Sequence, residues 1–360
     1  MGCHLSKKVY RYHNVSSDPG IKTYSRYEHP KEELLPSMLK SDKKWLIIDT
    51  DAGIDSALAI LLALHHDDVG NILAITCVNG IVTVDQAVKN VVYVLNICDC
   101  DTIPIYKGSD RPLVGDGLAN EPCYNGQDGL GDIHDRFDSR LFYNKIVRSE
   151  NAINIMVSLA SRYEGKISLI ALGPLTNLAL ACKVNRNFPR QLRDLTILGG
   201  RYCPGLEDAL NSKESNFLID PEAAHIVLKE YPLMCPTRII NGETVVHHPI
   251  NFQWTNDVWL KNDTKKSGFV EQIVSKALQF YRRRDTNGYY VFDPTATAVA
   301  IDPHIVIGAT QIKVEVNLRD PDCRGHIEIK LQGSEEDGNL LLVQNINVDV
   351  LKDMLWNTVK

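Results

Sequence analysis

WLIIDTDAGIDSALAILLAL, residues 45–64, joins two apolar runs through a turn that carries Asp49, Asp51 and Asp55. The first run is short and β-rich, as a buried strand is, and the second repeats its apolar residues at helical spacing. The stretch therefore predicts a strand, a tight turn and a helix. In open α/β sheets, sites form beyond the carboxyl ends of strands, and the aspartates sit at such an end. Like charges held close repel and raise one another's pKa unless donors or a cation compensate. A hard divalent cation, which takes oxygen ligands, would resolve that conflict. Helix capping accounts for Asp55 before SALAI, but not for three carboxylates together.

Outward from this stretch, strand-like and helix-like segments alternate. NILAITCV, KISLIAL and DLTILGG read as further buried strands, and VDQAVKNVVYVLNI, NLALACKV and DPEAAHIVLKEY as helices. Asp220 before Pro221 makes an N-cap followed by proline at the first helical position. The alternation predicts an α/β fold: a single domain with a mostly parallel central sheet flanked by helices on both faces. QIKVEVNL and HIEIKL alternate with period two, which adds a small antiparallel element near the C-terminus. No internal repeat is present. The domain is expected over residues 45–360, after an extension at 1–44.

That extension opens MGCHLSKKVYRYHNVSSDPG, which is polar, turn-rich and locally basic, and so reads as flexible. Its start matches the M-G-x-x-x-[ST] acylation signal, which makes Gly2 a candidate myristoyl site and Cys3 a candidate palmitoyl site. Lys7 and Lys8 would add attraction to anionic lipid. The competing reading is an unmodified tail. The rest of the chain is ordinary for a globular protein at 44% hydrophobic and 23% charged residues. A net charge of −6 leaves no electrostatic footprint for nucleic acid. No apolar run approaches the ~20 residues that cross a bilayer. The nine cysteines are scattered and form no paired CxxC metal motif, so reduced thiols in a cytoplasmic protein are expected.

DTDAGIDSALAI resembles the DTDPGxDDAxA signature of the inosine–uridine-preferring nucleoside hydrolases. GSDRPL at 108–113 looks like that family's GxxRPL, and NGQDGLGD at 125–132 looks like its Gly-rich loop. ALGPLTNLALA at 171–181 is similar to its GPLTN block. ILGG at 197–200, ESNFLIDPEAA at 214–224 and FDPTATAVAIDP at 292–303 match further blocks in the same order. The resemblance implies hydrolysis of the N-glycosidic bond of purine or pyrimidine ribonucleosides, with a Ca²⁺ ion orienting a water and two ribose hydroxyls. It implies that Asp51 is a metal ligand that also takes the proton of the attacking water. Asp293 and the backbone carbonyl of Leu172 would be further ligands. Asp55, Glu214 and Asn216 would bind ribose, Glu214 and Asn216 facing the same way in extended backbone. A homodimer or homotetramer is implied as well.

The departures from the pattern touch the chemistry. Ser56 stands where the family has a second aspartate, so the metal site has a neutral hydroxyl in place of a carboxylate. Calcium affinity follows ligand charge and number, which predicts weak binding or none. Phe292 replaces a histidine that protonates purine leaving groups; its ring can stack on a base but cannot donate a proton. Asn125 replaces a histidine in the Gly-rich loop, and Ile81 stands where a ribose-proximal asparagine is usual. These changes keep a second reading open: a catalytically impaired homologue that binds ribose or nucleoside. Of the histidines, His134 could reach a base but reads better as a surface residue, whereas His247 and His248, read as strand neighbours, would point apart.

Overall fold

A computed structural model of the chain describes residues 44–66, 69–115, 124–133, 140–202, 215–284, 286–330 and 340–360. Gly2, Cys3, His134 and Glu214, all named above, lie outside the described residues. The described residues form eleven strands: β1 (Lys44–Thr50), β2 (Val69–Cys77), β3 (Ile105–Lys107), β4 (Val147–Arg148), β5 (Ile167–Ala171), β6 (Asp194–Leu198), β7 (Thr237–Ile240), β8 (Val306–Gln311), β9 (Lys313–Val316), β10 (Ile327–Lys330) and β11 (Leu340–Ile346). Nine of them form one sheet in the order β4-β3-β2-β1-β5-β6-β7-β11-β8. Its pairs are parallel except for β11 with β8. The small antiparallel element is β9 with β10, in the register Val316 to Ile327 through Lys313 to Lys330.

The order of the strands positions the site. From β1 the chain runs outward through β2, β3 and β4, then returns to the other side of β1 to lay down β5. The crevice beyond the carboxyl ends of β1 and β5 is therefore the topological switch point, where ligands bind in open α/β sheets. Asp49 lies opposite Ala171 across this pair, and the N–H of Leu172 donates to the Asp49 carbonyl at 2.8 Å.

Both faces of β1 are covered, as its unbroken apolar run requires. Leu46 and Ile48 enter the core beneath helices Ile54–His65, Val84–Ile97 and Phe292–Ile301. Ile47 enters the opposite core with Leu169, Ile197 and Phe188. Helix Ile54–His65 packs directly on helix Phe292–Ile301, all of whose residues are buried. That contact brings the start of the domain to its far end.

Several local expectations need correction. β3, β4, β7, β8 and β11 carried too few residues, or too weak an alternation, to be read as strands. Asp220 does cap helix Pro221–Glu230, accepting from the Ala223 N–H at 3.0 Å. Asp55 is not the N-cap of its own helix: it lies in the first turn, after Gly53. His247 and His248 are not on a strand; they close the short helix Gly242–Val246. Cys77, Cys98, Cys100, Cys182 and Cys235 are free thiols, as expected, but Cys323 is disulfide-bonded.

Candidate active site

Asp51 leaves β1 through a bend that only a special backbone conformation allows. Ala52 adopts φ +54°, and the turn is tied down by the Ala52 N–H to the Thr50 hydroxyl at 2.9 Å and by the Asn90 amide to the Ala52 carbonyl at 2.8 Å. The Asp51 carboxylate is 3% exposed and accepts the Ile81 N–H at 2.9 Å. Gly80 makes room for it: a Cβ there would lie 2.3 Å from the Asp51 Oδ2. Burial pushes the Asp51 pKa up to about 6, against the pull of its donors.

The first turn of helix Ile54–His65 presents Asp55 and Ser56, close to the positive end of the helix dipole. Ser56 Oγ donates to Asp293 Oδ2 at 2.5 Å and stands 3.5 Å from Asp51 Oδ1. Asp55 accepts from the Tyr289 hydroxyl at 3.5 Å and from the Phe292 N–H at 3.4 Å. Burial raises its pKa to about 7. Asp51, Asp55, Ser56, Leu172, Asn216 and Asp293 all line one cleft. These are the described residues to which the resemblance gave a role in binding or catalysis.

Two expectations about orientation change. Asp49 does not join the cleft. It is fully buried beneath it, where Oδ1 accepts from the Thr76 hydroxyl at 2.6 Å and from the Asn177 amide at 2.8 Å. Its other oxygen has no partner among the described residues, and burial lifts its pKa to about 7. Asn216 is not in extended backbone but opens the short helix Asn216–Ile219. Its amide donates to the Leu172 and Leu198 carbonyls, each at 3.1 Å, and so fixes the carbonyl expected to be a ligand. Sequence reasoning missed Asn177 and Thr76 as supports, and Tyr124 and Ser215 as cleft residues. Asn177 lies inside the GPLTN block and Ser215 inside ESNFLIDPEAA, and both could have been found there; Thr76 and Tyr124 carry no local signal.

The donors around Ser56 are all oxygens: two carboxylates, one hydroxyl and, on the same cleft wall, the Leu172 carbonyl. This set fits a hard divalent cation in kind, with two anionic ligands. Among the described residues, no three His, Cys, Asp or Glu side chains converge in a way that could hold a metal. The fit is thus to a cation held by few charges.

A family model described as inosine-uridine preferring nucleoside hydrolase matches residues 46–353. The chain is 31% identical over 277 residues to the inosine-uridine preferring nucleoside hydrolase of Crithidia fasciculata, covering 76% of this chain and 84% of that one. It is 35% identical over 291 residues to probable uridine nucleosidase 1 of Oryza sativa subsp. japonica, covering 78% and 83%. Among solved structures it resembles an inosine-guanosine nucleoside hydrolase with a TM-score of 0.77 and 27% identity, over 88% of this chain and 98% of that one.

Proposed function

We propose that this chain, which belongs to the inosine-uridine preferring nucleoside hydrolase family, hydrolyses the N-glycosidic bond of ribonucleosides to ribose and free base with an altered calcium site. The observation that carries the reading is the meeting of Ser56 and Asp293, 237 residues apart in sequence, beside Asp51. Glycosidic cleavage passes through an oxocarbenium-like state, and carboxylates aimed at that developing positive charge lower its energy. Asp51 takes the proton of the attacking water. A base of raised pKa, still ionised at neutral pH, suits that task. Asp55, Glu214 and Asn216 bind the ribose hydroxyls, and interactions that tighten as the ring flattens favour the transition state over the substrate. Asp51, Asp293, the Leu172 carbonyl and the Ser56 hydroxyl would hold Ca²⁺, which supplies the charge that acidifies a water and orients the sugar. With Ser56 neutral, that binding is weak.

One observation favours a second reading. The Ser56 hydroxyl already joins the two carboxylates, which suits nucleoside binding without turnover. A panel of purine and pyrimidine nucleosides, assayed for released reducing sugar with Ca²⁺ and with a chelator, decides between the two. Sugar release that falls on chelation supports the calcium-assisted hydrolase. Saturable nucleoside binding with no sugar released supports the binder.

The extension at 1–44 is proposed to carry lipid on Gly2 and Cys3, which the mass of the N-terminal peptide tests. A homodimer or homotetramer is proposed on family resemblance, which light scattering tests.

A further inference from the structure

We infer that Asn125 stabilises the departing base by donating a hydrogen bond to the acceptor atom that flanks the glycosidic nitrogen, O2 of a pyrimidine or N3 of a purine. The inference rests on the hydrolase reading above and deepens it.

Asn125 is held in place by its turn. Its carbonyl accepts the Gly131 N–H at 2.8 Å, and the Asp128 carboxylate accepts the N–H groups of Leu130, Asp132 and Ile133, each at 2.8 Å. The Asn125 side chain is only 9% exposed and lines the cleft with Asp51, Asp55, Tyr124 and Phe292. Its Oδ1 accepts the Ile54 N–H at 3.3 Å. That N–H belongs to the first turn of helix Ile54–His65, whose N-cap is Gly53 and offers no side chain. A carbonyl oxygen can accept this bond and an NH₂ group cannot, so the carboxamide has one orientation. Nδ2 makes no hydrogen bond among the described residues and is not sealed off from the cleft that Asn125 lines. An amide NH₂ can only donate, so what it offers a molecule in the cleft is a donor.

The neighbouring wall explains what such a donor is for. Phe292 has no proton to give, and an amide does not transfer one near neutral pH. The C1′–N bond therefore breaks with its electron pair passing to the base. The water oxygen forms the new bond to C1′, Asp51 takes the water's proton, and the base takes its own proton from solvent. Negative charge in the leaving base spreads onto the acceptor bonded to the carbon next to the glycosidic nitrogen. Nucleobases share an acceptor there, O2 or N3. A hydrogen bond to an acceptor gaining charge strengthens as the reaction proceeds, which is the differential binding that accelerates a step.

The test is a cycle of two substrates and two proteins. Inosine is compared with 3-deazainosine, in which a C–H replaces N3. Wild type is compared with Asn125→Asp, which keeps an oxygen for the Ile54 N–H but replaces the donor. The analogue alters the intrinsic reactivity equally for both proteins, and the variant's added charge acts on both substrates, so only the coupling reports the contact. The expected result is a loss of kcat/KM from inosine to 3-deazainosine that is about tenfold or more larger in wild type than in the variant. Equal ratios overturn the inference. Should Asn125→Asp fold poorly by circular dichroism, Asn125→Ala, which has no donor, gives the same coupling. If wild type releases ribose from neither compound, the hydrolase reading fails. The dissociation constants of both compounds on the same cycle then decide the contact: coupling keeps it and its absence removes it.

Discussion

Ser56 reaches Asp293 at 2.5 Å and Asp51 at 3.5 Å, so a neutral hydroxyl sits where a cation would contact both carboxylates. Replacing it with aspartate adds a full charge to the oxygen cage. Ser56→Asp is expected to bind Ca²⁺ about tenfold or more tightly in calorimetric titration and to release ribose faster than wild type. Equal affinities would remove the role given to Ser56. Asp49 makes a separate prediction about stability. Its pKa is 3.8 in an ordinary setting and about 7 when buried, because desolvation disfavours the charge. Between those values the folded protein holds a proton that the unfolded chain has released. Its contribution to stability is therefore complete in acid and lost as pH rises through about 7. In Asp49→Asn the side-chain oxygen keeps the bonds from Thr76 and Asn177 without ionising. The metal-free variant should be more stable than metal-free wild type at pH ~8, by on the order of 1–3 kcal/mol in chemical denaturation, with a shallower pH slope. A variant that follows the wild-type slope would show that Asp49 does not carry it.

At the scale of the element, the turn after β1 stores strain that its sequence only half reveals. Ala52 at φ +54° lies in the left-handed region, which costs a residue with a Cβ roughly 1–2 kcal/mol. Its N–H also serves the Thr50 hydroxyl. Proline stands here in the motif the chain resembles, yet proline fixes φ near −65° and lacks the N–H. Ala52→Pro should lower stability by about 3 kcal/mol or more, whereas Ala52→Gly should leave it unchanged or raise it. A proline variant that melts like wild type would contradict this backbone. Beside the same turn, Gly80→Ala would put a Cβ 2.3 Å from the Asp51 carboxylate. It is expected to reduce ribose release about tenfold or more while the fold persists by circular dichroism. These elements also mark how far a sequence can be read. β1, its turn and the following helix were legible because their signals are local: an apolar run, clustered aspartates, helical spacing. β4 has two residues and β3 three, too few for a periodicity. The descent of Asp49 beneath the cleft depends on Thr76 and Asn177, which only the folded sheet brings to it. Asn216 was placed by assuming extended backbone; the short helix it opens turns its amide onto Leu172 and Leu198 instead.

Across the whole molecule, function follows from where the chain reverses direction in its sheet. Outward growth through β2, β3 and β4, and return to β5, opens the crevice beside β1. The packing of helix Phe292–Ile301 on helix Ile54–His65 then closes it with Asp293. Neither event is visible in any one motif; the order of the blocks along the chain was the only sequence-level sign of it. Among the described residues no helix is long and apolar enough to cross a membrane. The family supports ribonucleoside hydrolysis in such a crevice, and Asp51 is the side chain proposed to handle the proton. Its removal is the most direct test, because an asparagine there keeps an acceptor for the Ile81 N–H while removing the charge proposed to take the proton. Ribose release from uridine and inosine is to be measured for wild type and Asp51→Asn, both folded by thermal melt and both supplied with Ca²⁺. The account predicts turnover in wild type and a loss of at least about 100-fold in the variant. Ribose released equally by both proteins would contradict it.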